Sequence, residues 1–313
     1  MYNSVINTLV KLDINNDIYH IPEILWSSFT KNGIYRDFFT ALLEKNIDEM
    51  LLILQTFREN YYIEFNNMLY CNFSLLEKYN KLNKMNCSRD DDCISNISNF
   101  GISEDILSKC HRSKSGSNIT NLSIRYYFTY ILLEPYITEK CNILEIGCCS
   151  VVGVASQILK YKSSYINCIL LCDLIQVLVL SYATILYNFP HLKVLFYNGK
   201  GNVETLTELY NIILIIPDYL IDFKSCRIEF CFNSYSFSEM SKENLDYYFN
   251  FLTKTTRWLI SENKHLQNGN QFRSLIHDIP ANFIKIKETD NCNCPDSFHN
   301  IYHLENTLYG LTV

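Results

Sequence analysis

Apolar positions along the chain recur with two different periods, and the change from one to the other divides it. Up to about residue 86 the spacing is three and four: Phe38, Phe39, Leu42 and Leu43, then Met50, Leu51, Ile53 and Leu54. That period predicts amphipathic helices. The polar, turn-rich stretches Ser88 to Cys93 and Arg112 to Asn118 follow and mark a connecting region. From Asn121 to Ile137 a helical stripe returns through Ile124, Tyr127, Phe128, Ile131 and Leu132, with Pro135 closing it. The pattern then changes to short apolar runs. Asn142 to Ile146 reads as a strand, followed by Gly147 and a helix from about Val152 to Tyr161. Asn167 to Cys172 reads as a second strand stopping at Asp173, with a helix carrying Leu178 to Leu186. Later strands are expected at Ile212 to Ile216, Arg227 to Phe232, Arg257 to Ser261, Asn282 to Lys287 and Ile301 to Leu304, seven in all. Strands alternating with helices of this length imply right-handed crossovers and a parallel sheet. The expectation is therefore a helical N-terminal domain over residues 1–114 and an α/β domain over 115–313.

Composition narrows the partners. With 27 Lys and Arg against 33 Asp and Glu the formal net charge is −6, which offers no footprint for a phosphate backbone. Nucleic acid is not the expected partner. Thirteen cysteines are an odd number. Cys141, Cys148, Cys149, Cys168, Cys172 and Cys231 fall in or beside apolar runs, where thiols pack as small hydrophobes. The first ten residues show no charged leader followed by an unbroken apolar stretch. Together these point to a reducing, cytoplasmic compartment. Apolar runs such as Ile212 to Pro217 fall far short of the roughly 20 residues that span a bilayer, so no membrane partner is expected.

In an open parallel sheet the ligand site lies at the carboxyl ends of the strands, centred on the first strand-to-helix turn. Here that turn reads Glu145-Ile-Gly-Cys-Cys-Ser-Val-Val-Gly153. Gly147 can bring backbone close to a ligand, and Glu145 ends the strand at the same crevice. The second strand ends in Asp173, whose carboxylate can accept hydrogen bonds from both hydroxyls of a ribose. A nucleoside-type cofactor suits this pair; a plain helix cap at Asp173 and an ordinary turn at Gly147 are the structural alternative.

Glu-Ile-Gly followed by an acidic residue after the second strand resembles the nucleoside-binding arrangement of S-adenosylmethionine-dependent methyltransferases with a Rossmann-like seven-stranded core. The likeness sharpens at Asn233-Ser-Tyr-Ser-Phe-Ser-Glu-Met240, which leads into a helix with Tyr248-Phe249. Then comes Trp258-Leu-Ile-Ser-Glu-Asn-Lys264. This block is similar to the sugar O-methyltransferase family, over about Thr120 to His265. The resemblance implies S-adenosylmethionine as cofactor and a small-molecule or glycan hydroxyl as methyl acceptor. It places Glu145, Gly147, Cys149, Asp173 and Asn233 at the cofactor and Ser234 and Ser236 at the substrate. In that family consecutive glycines follow the Glu, whereas positions 148, 149 and 151 here are Cys, Cys and Val. This turn leaves open an inactive methyltransferase-like scaffold used for protein interaction.

A sugar hydroxyl is weakly acidic, so its methylation calls for a group that removes the proton. Glu239 in the block and His265 just after the fifth expected strand are the candidates for that role, with Glu262 as a rival. Ser241 is placed to cap the helix carrying Leu245, Tyr248, Phe249 and Leu252. Cys292, Cys294, His299 and His303 lie close in sequence, but a Cys-X-Cys start is tighter than the usual zinc spacing. No metal is assigned.

Overall fold

Alternation of faces along the apolar runs sets the architecture. In β1 (Cys141–Ile146) and β2 (Ile166–Cys172), Ile143, Ile169 and Leu171 enter one apolar cluster, while Leu144, Ile146, Leu170 and Cys172 enter another. Successive side chains of a strand point to opposite faces. A strand apolar on both faces must be covered on both, which is the condition of a parallel sheet flanked by helices. The structure is a computed structural model that describes residues 2–12, 33–61, 111–112, 118–119, 126, 129–130, 133–148, 153–234, 236–265, 279–295 and 301–311.

The main sheet continues with β3 (Val194–Phe196), β4 (Ile212–Ile215), β5 (Ile228–Ser234), β6 (Thr256–His265), β7 (Phe283–Pro295) and β8 (Ile301–Leu311). Its order is β3-β4-β2-β1-β5-β6-β8-β7, with β3 through β6 forming six parallel neighbours and β8 antiparallel to both β6 and β7. This is an α/β, Rossmann-like sheet, as the alternation of strands and helices implies. The strand count differs: eight strands form the sheet, where the sequence suggests seven. The addition is β3, whose three residues are all half-buried at the sheet edge. So short a run shows no periodicity to read.

One face carries α4 (Gly153–Lys162) and α5 (Ile175–Asn188). The other carries α6 (Val203–Leu209), a 3₁₀ stretch at Pro217–Ser225 and α7 (Lys242–Thr255). Ser241 caps α7 by accepting the Asn244 N–H at 3.3 Å, and Asn202 caps α6 by accepting that of Thr205 at 2.8 Å. Every residue of α5 from Ile175 to Ile185 is buried. A helix without a polar face must be enclosed. The enclosing elements are α1 (Tyr2–Leu9) and α2 (Ile34–Leu43), which pack on α5, with α3 (Ile47–Tyr61) packed on both. Leu9, Phe38 and Leu54 thus share one core cluster with Ile143 and Leu178. Of the segment from Asn121 to Ile137, the buried Tyr126, Tyr130 and Leu133 are described; Ile124, Tyr127, Phe128, Ile131 and Leu132 lie outside the described residues. His111–Arg112 pairs antiparallel with Asn118–Ile119, bracketing the polar turn. No helix among the described residues is long and apolar enough to cross a membrane.

Leu9 is fully buried in that shared cluster. Leu9→Ala is expected to cost about 2–5 kcal/mol of stability in urea unfolding followed by circular dichroism. An unchanged midpoint would show that α1 is not docked on α5.

Candidate functional site

The strand order reverses at β1: the chain runs outward through β2, β3 and β4 on one side, then returns to β5 on the other. In such sheets a crevice opens at the carboxyl ends of the strands flanking the reversal. Here those ends are Glu145-Ile146-Gly147 of β1 and Phe232-Asn233-Ser234 of β5, which run in register. Gly147 has φ 70°, and its N–H donates to the Cys172 carbonyl at 2.8 Å, fixing the β1 turn to the end of β2. A Cβ at this position would lie 1.7 Å from Ser236 Oγ. Glycine is therefore required twice over, by its left-handed backbone and by the absence of space.

Asn233 is 1% exposed and spans the crevice wall. Its Nδ2 donates to the Ile146 carbonyl at 2.9 Å, and its Oδ1 accepts the Phe237 N–H at 3.0 Å. One side chain thus joins the end of β1 to the 3₁₀ turn Ser236–Glu239. The structure employs the Asn233 amide within the wall. Ser236, donating to the Ser234 carbonyl at 3.4 Å, is packed against Gly147. The Ser234 hydroxyl donates to Glu262, a buried carboxylate on the neighbouring β6. Cys149 lies outside the described residues, as does the side chain of Glu239. His265 ends β6 with its backbone opposite His303, and its side chain lies outside the described ones.

Glu145 is 3% exposed. Its Oε2 accepts the Ala155 N–H in the first turn of α4 at 3.3 Å, and no cation pairs with it among the described residues. Burial, with the nearby Asp173 adding to it against the Ala155 hydrogen bond, raises its pKa to about 8. Asp173, half-buried at the end of β2, accepts the Leu174 N–H on Oδ1 at 2.7 Å. The sequence-derived pair is thus brought together on one face of adjoining strands.

Several groups at this edge were not singled out by sequence reasoning. Burial raises the Cys172 thiol and the Tyr247 hydroxyl, and Asp218, just past β4, adds to both. The Tyr248 hydroxyl bonds the Cys172 thiol, and that of Tyr247 donates to the Pro217 carbonyl at 2.8 Å. Gln176, fully buried on α5 three residues past Asp173, has no hydrogen-bond partner among the described residues at either Oε1 or Nε2, and Gln157 Oε1 on α4 has none among them. Unpaired buried amides cost about 1–3 kcal/mol each. The available signal was a lone polar residue in the apolar run Leu174 to Leu180. Cys292 and Cys294 on β7 register with Leu304 and Tyr302, and His303 with Asn293; His299 lies outside the described residues.

No protein-family model and no curated protein matches the chain. Solved structures with likeness to it include PH1948 of Pyrococcus horikoshii, at 10% identity and TM-score 0.42 over 66% of this chain and 95% of that one. The methyltransferase domain of a bacterial CtHen1 is similar at 13% identity and TM-score 0.40, over 60% and 97%. Protein 1320 of Thermoplasma acidophilum is similar at 9% identity and TM-score 0.40, over 60% and 88%.

A glutamate in the unfolded chain titrates near 4.3, so the native state holds the Glu145 proton over the window up to about 8. The stability this contributes is full below about pH 4 and is lost as pH rises through about 8. Glu145→Gln, neutral at every pH, is expected to melt higher than the wild type by a margin that grows from pH 5 to pH 8 in thermal unfolding. A margin constant across those pH values would contradict a buried, protonated Glu145.

Proposed function

We propose that the chain is an S-adenosylmethionine-dependent methyltransferase acting on a sugar or glycan hydroxyl. The observation that carries the cofactor half is the convergence of Glu145 and Asp173 beside Gly147 at the reversal of the sheet. Two acidic groups share a small volume there, and Glu145 has no ion pair to a cation among the described residues. That acceptor set fits a ligand bringing two ribose hydroxyls and an ammonium group. Asp173 retains acceptor capacity beyond its Leu174 bond, since a carboxylate offers about four lone-pair sites. It takes the ribose hydroxyls, and Glu145 faces the cationic end. Bound S-adenosylmethionine supplies an electrophilic methyl group carried on a sulfonium.

The acceptor half rests on the block from Asn233 to Met240 and its resemblance to sugar O-methyltransferases. In this reading Ser234 and Ser236 hold the acceptor, and proton removal falls to Glu239 or His265. Glu262, already taking the Ser234 proton as a hydrogen bond, reinforces that side. The buried thiols Cys141, Cys148, Cys168, Cys172, Cys226 and Cys231 suit a reducing cytoplasm.

Titration calorimetry with S-adenosylmethionine and S-adenosylhomocysteine tests the cofactor half. Micromolar binding to the wild type is expected, weakened about tenfold or more in Asp173→Ala, since a charge-assisted hydrogen bond is worth about 1.5–3 kcal/mol. Equal affinity in the two proteins removes Asp173 from the site. No heat with either ligand favours an inactive scaffold. With an acceptor sugar in hand, His265→Ala and Glu239→Gln separate the proton acceptors: loss of the true one lowers kcat by about 10²–10⁴-fold and leaves cofactor affinity in place.

A further inference from the structure

The carboxyl of Glu145 presents a problem that the fold leaves unsolved. It is buried, it receives one backbone N–H, and among the described residues it has no cationic partner. An ionised carboxylate in such surroundings is strongly disfavoured, and a second carboxylate nearby disfavours it further.

The groups around it do not supply the missing charge. From β2 it is faced by Asp173, whose charge opposes ionisation. From β5 it is faced by Phe232, while the buried Cys231 thiol, pushed up by burial, lies on the opposite face of the sheet. From α4 it receives the Ala155 N–H, while Lys160 and Lys162 stand in the last turn of that helix. Asp173 in turn is faced by the Cys172 thiol and the Tyr248 hydroxyl, both pushed up by burial.

Resting on the cofactor reading above, we propose that Glu145 is a proton-releasing receptor for the cationic end of the cofactor: neutral in the free protein, it ionises when an ammonium group arrives beside it. The bond broken is the carboxyl O–H, and the proton leaves to solvent. The carboxylate left behind pairs with the incoming cation, which also relieves its repulsion with Asp173. The site thereby discriminates for charge, because a ligand without a cation gains nothing from the ionisation.

The consequence is a linkage between affinity and pH. Where free Glu145 is protonated and bound Glu145 is not, affinity for a cationic ligand rises with pH, by up to tenfold per unit. The rise ends near pH 8, where the free carboxyl ionises by itself. An α-ammonium group stays charged below pH 7, so the informative range is pH 6 to 7.

The experiment is titration calorimetry of the full chain with S-adenosylhomocysteine at pH 6.5, in phosphate and in imidazole, whose ionisation enthalpies differ widely. The apparent enthalpy is expected to differ between buffers by an amount equal to release of about 0.5–1 proton per ligand bound. Between pH 6 and 7 the affinity is expected to rise about three- to tenfold. Glu145→Gln is expected to bind with buffer-independent enthalpy and pH-independent affinity. Binding by the wild type with equal enthalpy in both buffers overturns the proton release while leaving the cofactor reading intact. Proton release that persists in Glu145→Gln assigns it to another group and overturns the role of Glu145. No binding in either buffer overturns the cofactor reading itself. The wild-type buffer comparison stands as a test even where the variant does not fold.

Discussion

The side chain of Asn233 joins two elements that the chain brings together only after long separation: its amide links the last carbonyl of β1 to the turn after β5, with 87 positions between Asn233 and Ile146. That link holds the crevice edge in shape. Once it is made, Ser236 packs against Gly147, Gly147 takes its left-handed conformation, and its N–H fixes the turn to the end of β2. Glu145 and Asp173 then have no choice but to approach each other. The buried carboxyl and its acidic neighbour are a consequence of this geometry.

The helices exist in service of the same edge. α4 begins where the β1 turn ends and gives Glu145 its single N–H, and α5 begins immediately after Asp173. Because α5 is buried on every side, it needs α1 and α2 over it. The N-terminal helices thus complete the core on the face that carries Glu145, which ties the stability of α1, α2 and α3 to the strand ends of the candidate site.

Much of this was legible in the residues. The runs that became β1, β2, β4 and β5 are apolar on both faces, which marks buried parallel strands; Gly147 and Asp173 mark their ends, and Ser241 its helix cap. What escaped has a common physical cause: polar residues inside the sheet. The strand expected at Arg257 to Ser261, within a strand-like stretch from Trp258 to Lys264, runs on to His265, with Glu262 buried in it and bonded to Ser234. β7 and β8 extend past their apolar starts for the same reason: backbone pairing along the sheet edge carries them. β3 is too short to show a period. The bond from the Asn233 amide to the Ile146 carbonyl is not legible in sequence, because that partner is defined by strand register and by nothing local.

The central claim is that a nucleoside-bearing cation occupies the crevice between the Gly147 turn and Asp173. A crystal structure of the chain grown with S-adenosylhomocysteine tests it most directly. The account predicts ligand density at the carboxyl ends of β1 and β2, with both ribose hydroxyls on Asp173 and the ammonium within about 4 Å of Glu145, the distance of an ion pair. A ligand seated elsewhere, or a crevice left empty at saturating concentration, would contradict it.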